Sequence, residues 1–135
     1  MLGTWRLKSY LVTTATGERL TPPYGESPTG FLIYSADGRM QVIGVAKNRR
    51  IPGGANPPDA ERLALYDTMF AYAGTFSVEG DKVIHHIDVS WNQAWTGTDQ
   101  IRVLEVSGNT LTLTTRIPDP LSGIESHYAV AWERI

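Results

Sequence analysis

The chain has 135 residues, 41% of them hydrophobic and 19% charged, with no cysteine and a formal charge of −2. Length and composition of this kind fit one globular domain with a full core, and exclude a disulfide framework, thiolate metal ligation and a thiol nucleophile. Positive charge clusters only at Lys47-Asn48-Arg49-Arg50, which removes most of the electrostatic case for nucleic acid or an anionic membrane, and neither is expected as partner. No apolar run is long enough for a signal segment or a membrane span, so the default expectation is a cytoplasmic protein.

In chain order, Trp5, Leu7 and Leu11 alternate with Arg6 and Lys8, so residues 3–12 read as a half-buried strand with Trp5, Leu7, Ser9 and Leu11 on one face. Thr13 to Gly30 contains Gly17, Pro22, Pro23, Gly25 and Pro28, too many breakers for regular structure; a loop this long arches over a cavity mouth in many compact domains. Residues 31–34 and 39–45 form a hairpin through Asp37-Gly38, where glycine accepts the positive φ of the turn. A loop over 46–58 follows, basic at Arg49-Arg50 and then rich in Pro and Gly.

One helix is predicted next. Asn56 suits the N-cap, Pro57 the first helical position, and Asp59 and Glu61 the positive end of the dipole. Leu63, Tyr66, Met69, Phe70 and Ala73 recur at helical spacing, giving an apolar stripe through about Tyr72, with Gly74 as the stop. The remainder reads as strands: 75–79 and 82–90 around Gly80-Asp81, 99–106 and 110–116 around Ser107-Gly108-Asn109, and 125–134 after the Pro118-Asp119-Pro120 loop. Sequential hairpins favour an all-β, antiparallel up-and-down barrel of about eight strands over a sandwich, with the one helix between the third and fourth strands. A barrel of that size either fills with its own side chains or holds one small ligand.

Face patterns identify what lies inside. In 82–91, Val83, His85, Ile87, Val89 and Trp91 share the apolar phase, so His85 points inward and His86 outward. Tyr128, Val130, Trp132 and Arg134 share a face of the last strand, which brings Arg134 across Trp5 if the two terminal strands are neighbours; these two residues are the predicted structural closure. In 99–106 neither phase is cleanly apolar. Either Gln100 and Arg102 project into the cavity, or Ile101 and Val103 do.

Gly3-Thr4-Trp5-Arg6-Leu7 resembles the G-x-W opening of lipocalins and their calycin relatives, and Arg134 resembles the arginine that closes on that Trp. Gly30-Phe-Leu-Ile-Tyr34 with Asp37-Gly38-Arg-Met40, Val83-Ile-His85-His86-Ile-Asp-Val-Ser90 and Trp95-Thr-Gly97-Thr-Asp-Gln100-Ile-Arg102 resemble the small bacterial and fungal lipocalin-like domains, over nearly the whole chain. The resemblance implies a closed barrel with an internal pocket for a small, mostly apolar molecule.

Three functions are open on these residues. The first is binding of a small apolar or aromatic molecule by Tyr34, Tyr66, Met69, Phe70, His85, Trp91, Gln100, Arg102 and Tyr128. The second is a cofactor-free isomerase, cyclase or lyase in the same pocket, with His85 as acid-base and Arg102, Gln100 or Tyr34 steadying an oxyanion. The third is a barrel plugged by its own side chains and acting as a structural or interaction domain. Neighbouring His85 and His86 face opposite ways and make a poor metal pair, so neither metal nor cofactor is predicted. No Ser-His-Asp order is recognisable in the sequence. The Trp91–Trp95 loop invites burial, either on a ligand or in a homodimer.

Overall fold

The computed structural model describes residues 1–22, 24–118 and 125–135. Among these residues there are nine strands: β1 (Gly3–Thr14), β2 (Arg19–Leu20), β3 (Thr29–Tyr34), β4 (Arg39–Val45), β5 (Met69–Glu79), β6 (Lys82–Ser90), β7 (Asp99–Ser107), β8 (Thr110–Pro118) and β9 (Glu125–Arg134). A helix, α1 (Asp59–Asp67), joins β4 to β5, and a single 3-10 turn spans Gln93–Trp95. All pairings are antiparallel, and β1 hydrogen-bonds to β9 as well as to β3, closing eight strands into a barrel with β2 as an appendage on β1. Pro118 ends β8, while Asp119 and Pro120 of the predicted connection and Pro23 of the first loop lie outside the described residues.

Closure joins the two ends of the chain. Trp5 stands opposite Arg134 in the β1–β9 ladder, and the Arg134 guanidinium carbon lies 4.2 Å from the centre of the Trp5 ring. The Trp5 indole N–H donates to Met1 O at 2.8 Å, and Arg134 Nη1 donates to Leu2 O at 2.8 Å. The core is built inside the barrel around Trp5, Leu32, Tyr34, Met40, Val83, Leu111 and Trp132, all essentially inaccessible to solvent.

Two β-bulges correct the predicted faces. The β1–β9 register slips between Leu7 and Ser9, so Lys8 is the extra residue. Beyond it the phase inverts: Tyr10 and Val12 turn inward in place of Ser9 and Leu11. The β5–β6 register slips at Ala73/Gly74, leaving Asp88 unpaired in the ladder. Val83, His85 and Ile87 are buried as predicted, but Val89 beyond the bulge faces solvent at 58% exposure. Asp88 itself reaches outward to accept two hydrogen bonds from Arg39, at 2.7 and 3.3 Å.

The helix also differs from expectation. It lies after β4, because the first loop contains the short strand β2. It starts at Asp59 with Pro58 at the N-cap and no capping side chain, and it ends at Asp67. Met69 and Phe70 belong instead to β5, where Val45 and Gly44 of β4 pair with them. Apolar residues at 70 and 72 satisfy strand alternation as well as helical spacing, and the whole ladder with β4 outweighs one more helical turn. Gly74 sits within β5, where a Cβ would collide with the His86 carbonyl at the bulge. No residue of α1 is fully buried, so the helix does not plug the barrel. No described helix is long and apolar enough to cross a membrane.

Candidate functional site

Inside the barrel, beside the packed core, lies a cavity of about 50 Å³. Its apolar wall comes from Phe70, Leu113, Val130 and Trp132, and its polar groups from Tyr10, Tyr24, Tyr72, His85 and Arg102. Several of these bounding residues are only half-buried, unlike the sealed core beside them.

His85 is the centre of the polar arrangement. It lies on β6 opposite Phe76 of β5 and Gln100 of β7, and only 1% of it is exposed. Its Nε2 is 2.7 Å from the Tyr34 hydroxyl and its Nδ1 is 3.0 Å from the Tyr72 hydroxyl. Burial, reinforced by the positive charges of Arg102 and His86, pushes its pKa down to about 3. The ring is therefore neutral at physiological pH, with one nitrogen donating and the other accepting. Desolvation pushes the hydroxyls of Tyr10, Tyr24, Tyr34 and Tyr72 up, so all four remain protonated.

Arg102 lies on β7 in the same phase as Gln100. It lines the cavity, while Ile101 and Val103 are 52% and 41% exposed on the outside. Its Nη1 donates to Ile101 O at 3.0 Å and its Nη2 to Gln100 Oε1 at 3.4 Å; Gln100 in turn donates to Thr98 Oγ1 at 3.0 Å. Among the described residues no carboxylate pairs with it. Trp132 lines the cavity, and its indole N–H is buried with no hydrogen-bond partner among the described residues.

An aromatic cluster closes the cavity. The Tyr24 ring lies 5.1 Å from that of Tyr10 and 5.0 Å from that of Phe70, both edge-on. Gly44 makes this packing feasible: a Cβ there would enter the Phe70 ring. Trp95, on the 3-10 turn, packs 5.6 Å from Tyr72 and 5.3 Å from Trp91. Tyr24, between β2 and β3, and Trp95, on its 3-10 turn, are the cavity aromatics that lie outside the strands.

The predicted site residues divide into two groups. Phe70, His85 and Arg102 meet at the cavity, with Tyr34 behind His85 and Gln100 beside Arg102. Tyr66 is 44% exposed on α1 and packs on Trp91 from outside, 6.3 Å away. Trp91 lines a separate groove of about 650 Å³ on the outer faces of β3–β6, floored by Ala71 and Ala73 between Ile43 and Val89. Met69 alternates with the inward Phe70 and is not at the cavity, and Tyr128 reaches only the edge of the cluster, 6.4 Å from Tyr10. The sequence reading overlooked Tyr10, Tyr24, Tyr72 and Trp132. A signal for Tyr10 was present, since Tyr10 and Val12 occupy the phase opposite to Trp5 and Leu7, which is the mark of a bulge.

Sequence reading also missed a Ser-His-Asp arrangement on the outer surface. Ser77 Oγ is 2.9 Å from His86 Nε2, and His86 Nδ1 donates to Asp99 Oδ1 at 2.7 Å. Its members come from three adjacent strands, and Ser77 lines neither the interior cavity nor the outer groove. Geometry alone does not make a triad catalytic; it also needs oxyanion donors and a substrate cleft.

A closed antiparallel barrel whose terminal strands are locked by a Trp–Arg stack, around a small polar-lined interior, defines the lipocalin-like class. The chain matches the lipocalin-like domain model over residues 2–135 and belongs to that family. It is also 34% identical over 85 residues to the 4'-hydroxy-3'-methoxypropiophenone carrier protein ppsC of Aspergillus oryzae, a match covering 57% of this chain and 77% of that protein.

Proposed function

We propose that this protein binds one small aromatic molecule in its barrel interior, as a carrier and not as a catalyst. The observation that carries the reading is the convergence of Tyr72, His85 and Arg102 on one cavity walled by aromatic rings. A few fixed polar groups in a largely apolar concavity are what orient a small ligand. The carrier named for 4'-hydroxy-3'-methoxypropiophenone, a phenolic aryl ketone, supports a flat oxygenated ring as the ligand class.

The cavity holds about 50 Å³ as it stands, room for one or two water molecules at roughly 30 Å³ each and too little for an aryl ketone. Entry therefore requires the aromatic cluster to open, and we assign this to Tyr24, which would exchange its contacts with Tyr10 and Phe70 for those of the ligand ring. Binding is favoured over turnover because His85 titrates near 3 and both its nitrogens are engaged. It holds Tyr72 in place and has no proton to give as an imidazolium at neutral pH.

The test is titration with 4'-hydroxy-3'-methoxypropiophenone followed by two-dimensional NMR. Saturable 1:1 shifts at Tyr72, His85, Leu113 and Trp132 are expected, with faster association in Tyr24→Ala. Shifts confined to Phe31, Ile43 and Val89 would place the ligand in the outer groove and overturn the interior reading.

A further inference from the structure

The cavity is out of balance in hydrogen bonding and in charge. Four tyrosine hydroxyls, one imidazole N–H, the Trp132 indole N–H and the Arg102 guanidinium all face it or back onto it. The tyrosine oxygens accept as well as donate and His85 supplies one nitrogen, but Gln100 Oε1 and Ile101 O occupy only two of the five guanidinium N–H groups. The groups facing Arg102 are Tyr10 on β1, Tyr34 on β3, Tyr72 on β5 and His85 on β6, and its positive charge is felt by all four. None of them is an anion at neutral pH, because desolvation keeps the tyrosines protonated and the histidine neutral. Among the described residues the Arg102 guanidinium has no carboxylate partner and the buried Trp132 indole N–H has no acceptor, so the guanidinium is free to meet a ligand and the indole N–H is costly as it stands.

We infer that the natural occupant is an aromatic anion, a flat ring bearing a carboxylate or a phenolate oxygen, whose negative oxygen sits against Arg102. This rests on the interior-binding reading and narrows it from aromatic molecules in general to acidic ones. The hydrogen-bond polarity along the wall agrees. The Tyr34–His85–Tyr72 row can be oriented so that Tyr34 donates to Nε2, Nδ1–H donates to Tyr72, and the Tyr72 hydroxyl offers its proton to the cavity. In that orientation Tyr72 adds a donor beside those of Arg102, and a guanidinium fork receives a carboxylate through two bonds or a phenolate through one.

Three probes of similar shape decide it: 4-methoxybenzoate, a carboxylate; 4'-hydroxy-3'-methoxypropiophenone, an ionisable phenol; and its neutral ether, 3',4'-dimethoxypropiophenone. Calorimetry on the intact protein should show the carboxylate or the phenol binding roughly 10- to 100-fold more tightly than the ether, the range for hydrogen bonds to a charged group. If the phenol is the better ligand, its absorption should shift to that of the phenolate on binding; if the carboxylate is, no such shift accompanies the stronger probe. Arg102→Met should reduce the preferred anion to the affinity of the ether and leave the ether unchanged, while Arg102→Lys should retain part of the preference. Equal binding of ether and anions by the wild-type protein, or a preference that survives Arg102→Met, overturns the anion assignment while leaving interior binding intact. Failure of all three probes to bind overturns interior binding and the anion assignment with it. Should Arg102→Met not fold, the wild-type affinity order and Arg102→Lys still decide the question.

Discussion

His85 shows how one buried group links stability to acidity. Its pKa is near 3 in the folded protein and about 6.5 for an unperturbed side chain, so the unfolded chain binds its proton first as pH falls. Its contribution is therefore complete above about pH 6.5 and is lost progressively between there and pH 3, at up to about 1.4 kcal/mol per pH unit. Chemical denaturation of wild type and His85→Gln between pH 4 and 7 should give a clearly flatter pH slope for the variant; parallel slopes would mean that His85 titrates normally. Part of this site is legible in the sequence and part is not. His85 sits in an unbroken apolar phase, so its inward direction was legible. Arg102 lies in a strand where neither phase is apolar, and only the pairing of Val83 with Arg102 resolves the choice. Tyr24 was invisible because no periodicity governs a side chain on a loop.

At the scale of elements, the errors came from places where local pattern and sheet pairing disagree. The stripe that reads as a long helix through Tyr72 is divided in the fold, and β5 claims everything from Met69 onward. β4 pairs with the stretch from Met69 and β6 joins it from Tyr72, and against these ladders weak helical propensity has little weight. The bulges have the same origin: a single extra residue, Lys8 or Asp88, inverts every later position, and alternation counted from the strand start cannot anticipate it. Gly74 tests this reading. Gly74→Ala brings a methyl onto the His86 carbonyl and should cost about 1–3 kcal/mol of stability. Gly53→Ala, which meets nothing within 4 Å, should be close to neutral. Equal denaturation midpoints for the two variants would show that the β5–β6 bulge relaxes freely.

For the molecule as a whole, the barrel architecture was the most legible feature, because Asp37-Gly38, Gly80-Asp81 and Gly108-Asn109 each mark a hairpin turn and the remaining closure was written at the two ends of the chain. Trp5 and Arg134 contribute to that closure directly. Arg134→Ala removes the stack on Trp5 and the bond to Leu2 O, and should cost about 1–3 kcal/mol.

The same pairing of β1 with β9 has a kinetic consequence. Most other barrel pairings join strands close in sequence, whereas Trp5 and Arg134 are separated by nearly the whole chain, so their contact carries the largest loop-closure entropy. A folding path that forms the hairpins from β3 to β9 first and adds β1 last avoids that entropy until late. Stopped-flow chevrons should then show the penalty of Arg134→Ala almost wholly in the unfolding arm, with the refolding rate nearly unchanged. A loss confined to the refolding arm would instead make the meeting of the two termini the nucleus about which the barrel forms.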